Sequence, residues 1–134
     1  MRYLLDTNIV SDLIRCPQGR IARRIAEVGE ESVCTSISVA AELRYGGVRK
    51  GSVRLSAQLE GVLGRLDVIA LETPADVTYG EIRATHERTG PMIGANNLLI
   101  AAQAVAFGLT LVTDNEREFR RVGGLAIENW LCGK

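Results

Sequence analysis

The chain contains little of what several common protein classes depend on. Among its 134 residues it has one His and three Cys, and aromatic residues make up only 4%. The cysteines, Cys16, Cys34 and Cys132, are odd in number and lack C-x-x-C spacing, which argues against a disulfide framework or a zinc site and favours a reducing cytosol. No apolar run approaches the length of a membrane span, and no signal-peptide pattern is present. We therefore expect a cytoplasmic protein that does not insert into a membrane.

Charge of one sign is not in excess either. The 16 basic and 16 acidic residues cancel, so the whole molecule is not a polycation that coats nucleic acid. All but two of the basic residues are Arg, which binds phosphate bidentately. They cluster at three places: Arg20, Arg23 and Arg24; Arg44, Arg49, Lys50 and Arg54; and Arg117, Arg120 and Arg121. Each cluster is either a phosphate-binding surface or a solvated helix face, and charge alone leaves both interpretations open.

What is present fits a single α/β domain over residues 1–134. Apolar residues make up 46% and charged residues 24%, an ordinary globular balance. Short apolar segments predict strands at residues 3–5, 32–35, 68–71, 109–112 and 126–130. Helical spacing of apolar residues predicts helices at residues 8–15, 19–30, 36–48, 52–66, 75–88, 96–107 and 114–122. Gly46, Gly47 and Gly51 are expected to break or end the third of these. Because strands alternate with helices, we predict a central, mostly parallel sheet of four to five strands flanked by helices.

Acidic residues follow two of the predicted strands. The first strand runs directly into Asp6-Thr7-Asn8, and the fourth into Thr113-Asp114-Asn115. Since parallel strands present their carboxyl ends at one edge, Asp6 and Asp114 are expected at the same edge of the sheet, where open α/β sheets bind ligands. Glu42 lies about one turn into the helix after the second strand and is expected there too. The alternatives are that Asp6 only caps the next helix and that Glu42 is a solvated helix acid.

Carboxylates gathered at one place repel each other unless a cation lies between them. Three oxygen ligands without His or Cys suit Mg²⁺ or Mn²⁺ rather than zinc. A site of this kind supports the attack of metal-activated water on a phosphate group. The residues therefore predict a metal-dependent phosphodiester or phosphate chemistry.

Four segments, in order, resemble the motifs of PIN domains, and most of all those of the VapC toxins of bacterial toxin–antitoxin pairs. They are Leu4-Leu5-Asp6-Thr7-Asn8, Ala41-Glu42-Leu43, the segment from Ile93 to Ala102, and Val112-Thr113-Asp114-Asn115. The resemblance runs from Met1 to about Trp130. It implies a PIN-like fold and a metal-dependent endoribonuclease, with the acids at Asp6, Glu42 and Asp114 around one or two Mg²⁺ or Mn²⁺ ions.

The resemblance also implies partners. A homodimer is expected, inhibited by a small VapB-type antitoxin that contacts operator DNA, so that this chain reaches DNA only through the antitoxin. The implied substrates are structured RNAs, often tRNA. An antitoxin helix would need an exposed apolar face, and the predicted helices at residues 19–30 and 52–66 have suitable patterns.

The chain departs from the VapC pattern at one position. These toxins usually have Gly-x-x-Asp where this chain has Gly94-x-x-Asn97, so the fourth acid is replaced by an amide. Asn97 is uncharged, although its carbonyl oxygen can still bind a metal. The amide is either natural or an isosteric substitution that makes a toxic chain tolerable to its host, and we favour the second. Our hypothesis is that Asn97 lowers metal affinity and cleavage.

Neighbouring polar residues have weaker assignments. Thr7 and Asn115 are expected to orient the carboxylates, or else to satisfy a helix start. Asn96 is expected to be the N-cap of its helix. His86, in a polar stretch, is expected at the surface and is not assigned as a base. Glu116 and Glu118 either support the site or form a solvated first turn, and the second is our expectation.

Three further functions were weighed. With Asn97 in place, the chain could be catalytically silent and act as an antitoxin-binding module in a repressor complex. A haloacid-dehalogenase-like phosphatase also has a strand ending in Asp, but it needs a second Asp where this chain has Asn8. A dinucleotide-binding fold is disfavoured because no Gly-x-Gly-x-x-Gly follows the first strand.

Overall fold

The computed structural model describes residues 1–131, and Cys132 lies outside the described residues. All strand pairs are parallel, and the sheet order is β3-β2-β1-β4-β5. The strands are β1 Tyr3–Leu5, β2 Val33–Ser36, β3 Asp67–Ile69, β4 Thr110–Val112 and β5 Ile127–Glu128. The predicted α/β fold with a parallel sheet is therefore confirmed, with five strands.

Seven α-helices connect these strands within the described residues. They are α1 Thr7–Arg15, α2 Arg20–Val28, α3 Ile37–Lys50, α4 Val53–Leu63, α5 Ala75–Thr89, α6 Ala95–Ala106 and α7 Glu116–Phe119. Hydroxyl side chains start two of them, since Ser36 accepts from the Ser38 amide and Ser52 from the Leu55 amide. Gly51 ends α3 in the left-handed conformation, with φ of 66°.

The centre of the sheet lies at β1, which is flanked by β2 and β4. Its side chains, Tyr3, Leu4 and Leu5, are all buried, as expected for a strand covered on both faces. The chain moves from β1 through β2 to β3 on one side, then returns to the other side for β4 and β5. The strand order therefore reverses between β1 and β4. In open α/β sheets such a reversal opens a crevice at the carboxyl ends of the strands.

Several predicted element bounds differ from those in the structure. Helix α3 continues through Gly46 and Gly47 to Lys50, so the prediction that they break it was wrong, although Gly51 does end it. The last helix covers only Glu116–Phe119, and the last strand only Ile127–Glu128. The predicted ends exceeded these because apolar spacing alone does not show where hydrogen bonding stops.

The prediction that His86 lies at the surface was also wrong. Its side chain is 5% exposed, within α5. It follows Ile82 by four residues and Tyr79 by seven, so these three share one face of the helix, and α5 packs extensively on α6. The polar residues on either side of His86 in the sequence led to the wrong prediction. Within residues 1–131, no helix has the length and hydropathy needed to cross a bilayer.

Candidate active site

Asp6 lies at the carboxyl end of β1, where it meets the end of β4. Its backbone N–H donates to the Val112 carbonyl at 2.9 Å, which continues the β1–β4 pairing by one residue. The Asp6 side chain is 4% exposed. One carboxylate oxygen accepts from the Thr7 amide at 2.8 Å, and the other accepts from the Thr113 hydroxyl at 2.7 Å. Asp6 thus caps α1 and lies in the crevice at the same time, so its two predicted roles are compatible.

Glu42 reaches the same place from α3. The hydroxyl of Thr7 donates to a Glu42 carboxylate oxygen at 3.1 Å. Thr7 therefore links the residue after β1 to the helix that follows β2, through its backbone N–H on Asp6 and its hydroxyl on Glu42. Glu42 is partly buried, which differs from a fully solvated helix acid.

Asp114 follows the carboxyl end of β4, the strand that pairs with β1, and it is exposed. Its backbone N–H approaches the Asn8 side-chain oxygen at 3.4 Å. Its carboxylate accepts from the side-chain amide of Asn129 at 3.0 Å, and that amide also donates to Glu116 at 2.8 Å. Asn129 follows β5, so the neighbouring strand end holds the Asp114 carboxylate.

Asn97 contacts Glu118, which the sequence placed in a solvated first turn. The Asn97 side-chain nitrogen donates to Glu118 at 2.7 Å. Glu118 also accepts from the side-chain nitrogen of Asn115 at 3.0 Å and from the backbone N–H of Gly94 at 3.0 Å. The Asn115 backbone N–H in turn donates to the Thr113 hydroxyl at 2.9 Å. A continuous chain of contacts therefore joins Asn97 to Asp6.

Burial raises the pKa of Asp6 above its ordinary value, although the hydrogen bonds from Thr113 and Thr7 act in the opposite direction. The nearby charge of Glu118 raises it further. Burial also acts to raise the pKa of Glu118, but its three hydrogen bonds and the charge of Arg121 outweigh this, so the pKa of Glu118 lies below its ordinary value. The crevice therefore holds a buried acid whose charge is disfavoured beside a second acid whose charge is stabilised.

The structure brings the predicted site residues Asp6, Thr7 and Glu42 into one contact chain, and Asn97 and Asn115 into another. Both chains meet at Asp6, through Thr7 and Thr113, whereas Asp114 is joined through Asn8 and Asn129.

Two expectations about the neighbouring residues were wrong. Asn96 is not the N-cap of α6, because Gly94 precedes the helix and has no capping side chain, and Asn96 lies within the first turn. Glu118 is not part of a merely solvated turn, because it accepts the three hydrogen bonds described above.

The sequence analysis also assigned no role to Thr113 or Asn129. Their signal is weak: Thr113 is a hydroxyl at a strand end, and Asn129 is an amide after the last strand.

The donor set is suited to a hard cation. The acids at this edge bring carboxylate oxygens, which Mg²⁺ and Mn²⁺ prefer, and the amides of Asn97, Asn115 and Asn129 direct their nitrogens at these acids. Among residues 1–131, neither Asp6, Glu42 nor Asp114 forms an ion pair with Lys or Arg, so no protein cation neutralises them. In the same part of the chain, no three Asp, Glu, His or Cys side chains are close enough to hold a metal by themselves. This agrees with Mg²⁺, which often binds through one or two carboxylates together with water and substrate phosphate.

Comparison with known proteins identifies the fold and its relatives. The family model described as PIN domain matches residues 3–125. The chain is 37% identical over 132 residues to Ribonuclease VapC2 of Rickettsia felis, covering 97% of this chain and 98% of that protein. It is 35% identical over 131 residues to the tRNA(fMet)-specific endonuclease VapC of Shigella flexneri, with the same coverage of each chain. Among solved structures, VapBC2 of Rickettsia felis bound to a promoter DNA fragment contains a chain that matches with a TM-score of 0.89 and 36% identity, covering 97% of this chain and 99% of that one.

Proposed function

Since the chain belongs to the PIN-domain family, we propose that it is an endoribonuclease that depends on Mg²⁺ or Mn²⁺ and acts as the toxin of a toxin–antitoxin pair. The observation that carries the proposal is the hydrogen-bond network at the carboxyl ends of β1 and β4, which ties Asp6 to Glu42 through Thr7 and to the Asn97–Glu118 pair through Thr113 and Asn115. Carboxylates without a protein cation favour a divalent ion, and the named ribonucleases that align over nearly the whole chain favour RNA as the substrate.

Asp6, Glu42, Asp114 and the side-chain oxygen of Asn97 are the groups that would hold the ion, one or two of the carboxylates directly and the other groups through water. A bound Mg²⁺ or Mn²⁺ activates water and stabilises negative charge on the phosphoryl oxygens. The chain's own residues fix the geometry of the carboxylates. Thr7 and Thr113 hold Asp6 from two sides, and Asn129 holds Asp114. These neutral donors orient the acids without neutralising them.

Asn97 lowers the activity of this site in our proposal. Its side-chain nitrogen is a donor to Glu118, so the group that replaces the fourth acid brings no negative charge to the ion. Glu118 is accordingly held as an acceptor of this amide. An Asp at this position would place two carboxylates at the same contact and thus increase the attraction for a cation.

For the biological setting we propose a cytoplasmic homodimer that binds a VapB-type antitoxin and contacts operator DNA only through it. The solved complex of VapBC2 from Rickettsia felis with a fragment of its promoter DNA supports the antitoxin partner and the link to operator DNA. The tRNA(fMet) specificity named for the Shigella flexneri relative makes initiator tRNA the first RNA to test. The single-domain organisation over residues 1–134 is part of the same proposal.

A groove among α1, α2 and α4 is a candidate site for the antitoxin. It is lined mainly by apolar residues, among them Leu13 of α1, Ile25 of α2, Val62 of α4 and Leu66 after the end of α4. The groove includes parts of the predicted helices at residues 19–30 and 52–66, whose apolar patterns suited a partner helix. An amphipathic helix binds such a groove through its apolar face.

The test is a titration of Mn²⁺ into this chain and into Asn97→Asp, together with cleavage of initiator tRNA by both proteins. We expect tighter metal binding and faster cleavage in the Asn97→Asp variant, and no cleavage by either when EDTA is present. Cleavage that persists in EDTA would refute the metal dependence. Equal metal affinity and equal rates would refute the role of Asn97.

The second candidate is the catalytically silent module that binds antitoxin within a repressor complex. The amide at position 97, contacting Glu118 as a donor, favours it. Absence of RNA cleavage by both this chain and Asn97→Asp with Mn²⁺, while antitoxin binding persists, would establish this candidate over the nuclease.

A further inference from the structure

We propose that the corner between α3 and α4 binds the single-stranded flank of the RNA substrate, with Tyr45 stacking on a base and Arg49 contacting a phosphate. This inference rests on the proposed function, because it extends the same site. We call this surface the basic corner and define it by Tyr45, Gly46, Arg49, Lys50 and Arg54.

The basic corner is continuous with the crevice through one face of α3. Glu42, which Thr7 contacts, is followed by Tyr45 after three residues and by Arg49 after seven. Residues at these spacings lie on one side of a helix, and seven residues rise by about 10 Å. A chain lying along this face therefore runs from the carboxylates past the ring of Tyr45 to the guanidinium of Arg49.

Tyr45 is 66% exposed, although a large aromatic side chain usually packs against other groups. Exposed aromatic rings beside cations are the surfaces on which single-stranded nucleic acids stack their bases. The cation–ring contacts found among residues 1–131, Arg2 with Tyr3 and Arg24 with Trp130, use rings that are buried, whereas the Tyr45 ring is exposed and contacts no cation of the protein in this way. Tyr45 therefore presents a ring that is available for a base.

Positive charge at the corner is not neutralised locally. No acidic residue occurs between Glu42 and Glu60. Arg44 donates twice to Glu60, whereas Arg49, Lys50 and Arg54 form no ion pair with any residue among 1–131. Arg49 and Lys50 lie in the last turn of α3, where the helix dipole favours positive charge. It does not account for Arg54, a cation in the first turn of α4, where the dipole opposes positive charge.

Gly46 gives the helix open space next to Tyr45, as Gly61 and Gly80 do on α4 and α5. It lies inside α3, where Gly is less stable than Ala. A Cβ at this position would have no heavy atom within 4 Å, so packing does not require Gly. Gly47 differs, because its Cβ would lie 3.4 Å from the Ser56 hydroxyl. A glycine in the open, between Glu42 and Arg49, leaves room for a ligand to approach the helix backbone closely.

The charge of the basic corner favours RNA over a second copy of the chain, although Val48 and Val53 beside it are exposed apolar side chains. In a two-fold contact the same patch meets itself, so Arg49, Lys50 and Arg54 would approach their own counterparts. A polyanion instead neutralises all three, and the ring of Tyr45 accepts any base.

The test is binding of a short, fluorescein-labelled single-stranded RNA of mixed sequence, measured by anisotropy in EDTA over a series of KCl concentrations. Tyr45→Ala is expected to weaken binding roughly 5- to 150-fold, the range for stacking of one base, while Tyr45→Phe keeps the affinity. Arg49→Gln is expected to lower the slope of log affinity against log salt by about 0.7. The matched control Arg88→Gln removes an exposed cation from α5 and should leave the slope unchanged.

Gly46→Ala separates a ligand contact from a folding effect. The variant is expected to unfold at higher denaturant concentration than the parent chain, because Ala favours the helix, and yet to bind the RNA several-fold more weakly. Weaker binding in a more stable protein cannot come from loss of structure. Unchanged RNA affinity in Gly46→Ala and Tyr45→Ala would overturn the proposal.

Two further outcomes are decisive. If Tyr45→Ala leaves RNA affinity unchanged but dissociates a dimer in sedimentation or abolishes antitoxin binding, the corner contacts protein and the proposal is wrong. If the parent chain binds RNA through the corner in EDTA, but neither it nor Asn97→Asp cleaves RNA with Mn²⁺, the binding surface stands and the proposed nuclease function fails.

Discussion

The contact between Asn97 and Glu118 yields a prediction about stability as well as activity. In Asn97→Asp, a carboxylate oxygen takes the place of the nitrogen that lies 2.7 Å from Glu118. Two unit charges at this distance repel by about 6 kcal/mol at an effective dielectric constant of about 20. Protonating one of the two carboxylates at neutral pH costs about 4 kcal/mol and removes the repulsion, so the loss of stability cannot exceed about 4 kcal/mol. We therefore expect the free energy of unfolding to fall by about 2–4 kcal/mol in EDTA.

Divalent metal should reverse this loss. An ion between the two carboxylates removes their repulsion, and an ion at 100 times its dissociation constant adds about 2.7 kcal/mol of stability. The assay is urea denaturation of both proteins, in EDTA and then with Mn²⁺. The order of stability is expected to be parent above variant in EDTA, with the difference reduced or reversed by Mn²⁺.

Asn96→Asp is the matched control for this experiment. It adds the same charge one residue earlier, in the first turn of α6, where Asn96 is exposed and the helix dipole favours an acid by about 0.3–1 kcal/mol. We expect it to be as stable as the parent or slightly more so, with little response to Mn²⁺. An Asn97→Asp variant as stable as the parent in EDTA would refute the reasoning from the Asn97–Glu118 contact.

Three other predictions concern the support of the site and the core. Thr113→Val removes the hydroxyl that donates to buried Asp6 and is expected to lower the free energy of unfolding by about 2–4 kcal/mol. Thr113→Ser keeps the hydroxyl and should retain most of the parent's stability. Equal urea midpoints for Thr113→Val and the parent would contradict this prediction. Leu111→Ala, at a fully buried position of β4, should lower the free energy of unfolding by about 2–5 kcal/mol in the same assay. A loss below about 1 kcal/mol would show that neighbouring side chains fill the space that Leu111 leaves. Burial raises the pKa of Cys34 to about 11, whereas Cys16 is exposed. Iodoacetamide at mildly alkaline pH should therefore label Cys16 and spare Cys34 in the folded protein, as measured by peptide mass spectrometry. Equal labelling of both would show that β2 opens.

The part of the site that sequence reasoning predicted follows from local rules. Asp6 and Asp114 each end an apolar strand, and the alternation of strands with helices indicated a parallel sheet, so both acids were expected at one edge. Two strand ends and one rule about parallel sheets are enough for that step. The strand order was not available in this way, because nothing local to β4 shows that it pairs with β1.

The contacts that hold the acids depend on that missing order. Thr113 reaches Asp6 across 107 positions of sequence, and Glu118 reaches Asn97 across 21. Thr113 lies in a recognised motif, but nothing in the sequence pairs it with Asp6 or pairs Glu118 with Asn97, so Thr113 received no role and Glu118 was expected in solvent. His86 shows the same limit. Its neighbours along the chain are polar and predicted a surface position, but in the folded protein it is buried where α5 packs on α6.

The pairing of the first strand with the fourth has a consequence for protein synthesis. Ribosomes make the N-terminal end of a chain first, at about 5–20 residues per second. Asp6 and Glu42 therefore emerge many seconds before Thr113, and the crevice has no second wall until β4 has been made and inserted beside β1. A growing or prematurely terminated chain that ends before β4 has no assembled acidic crevice. The topology thus delays assembly of the proposed site until β4 and the residues that follow it have been translated.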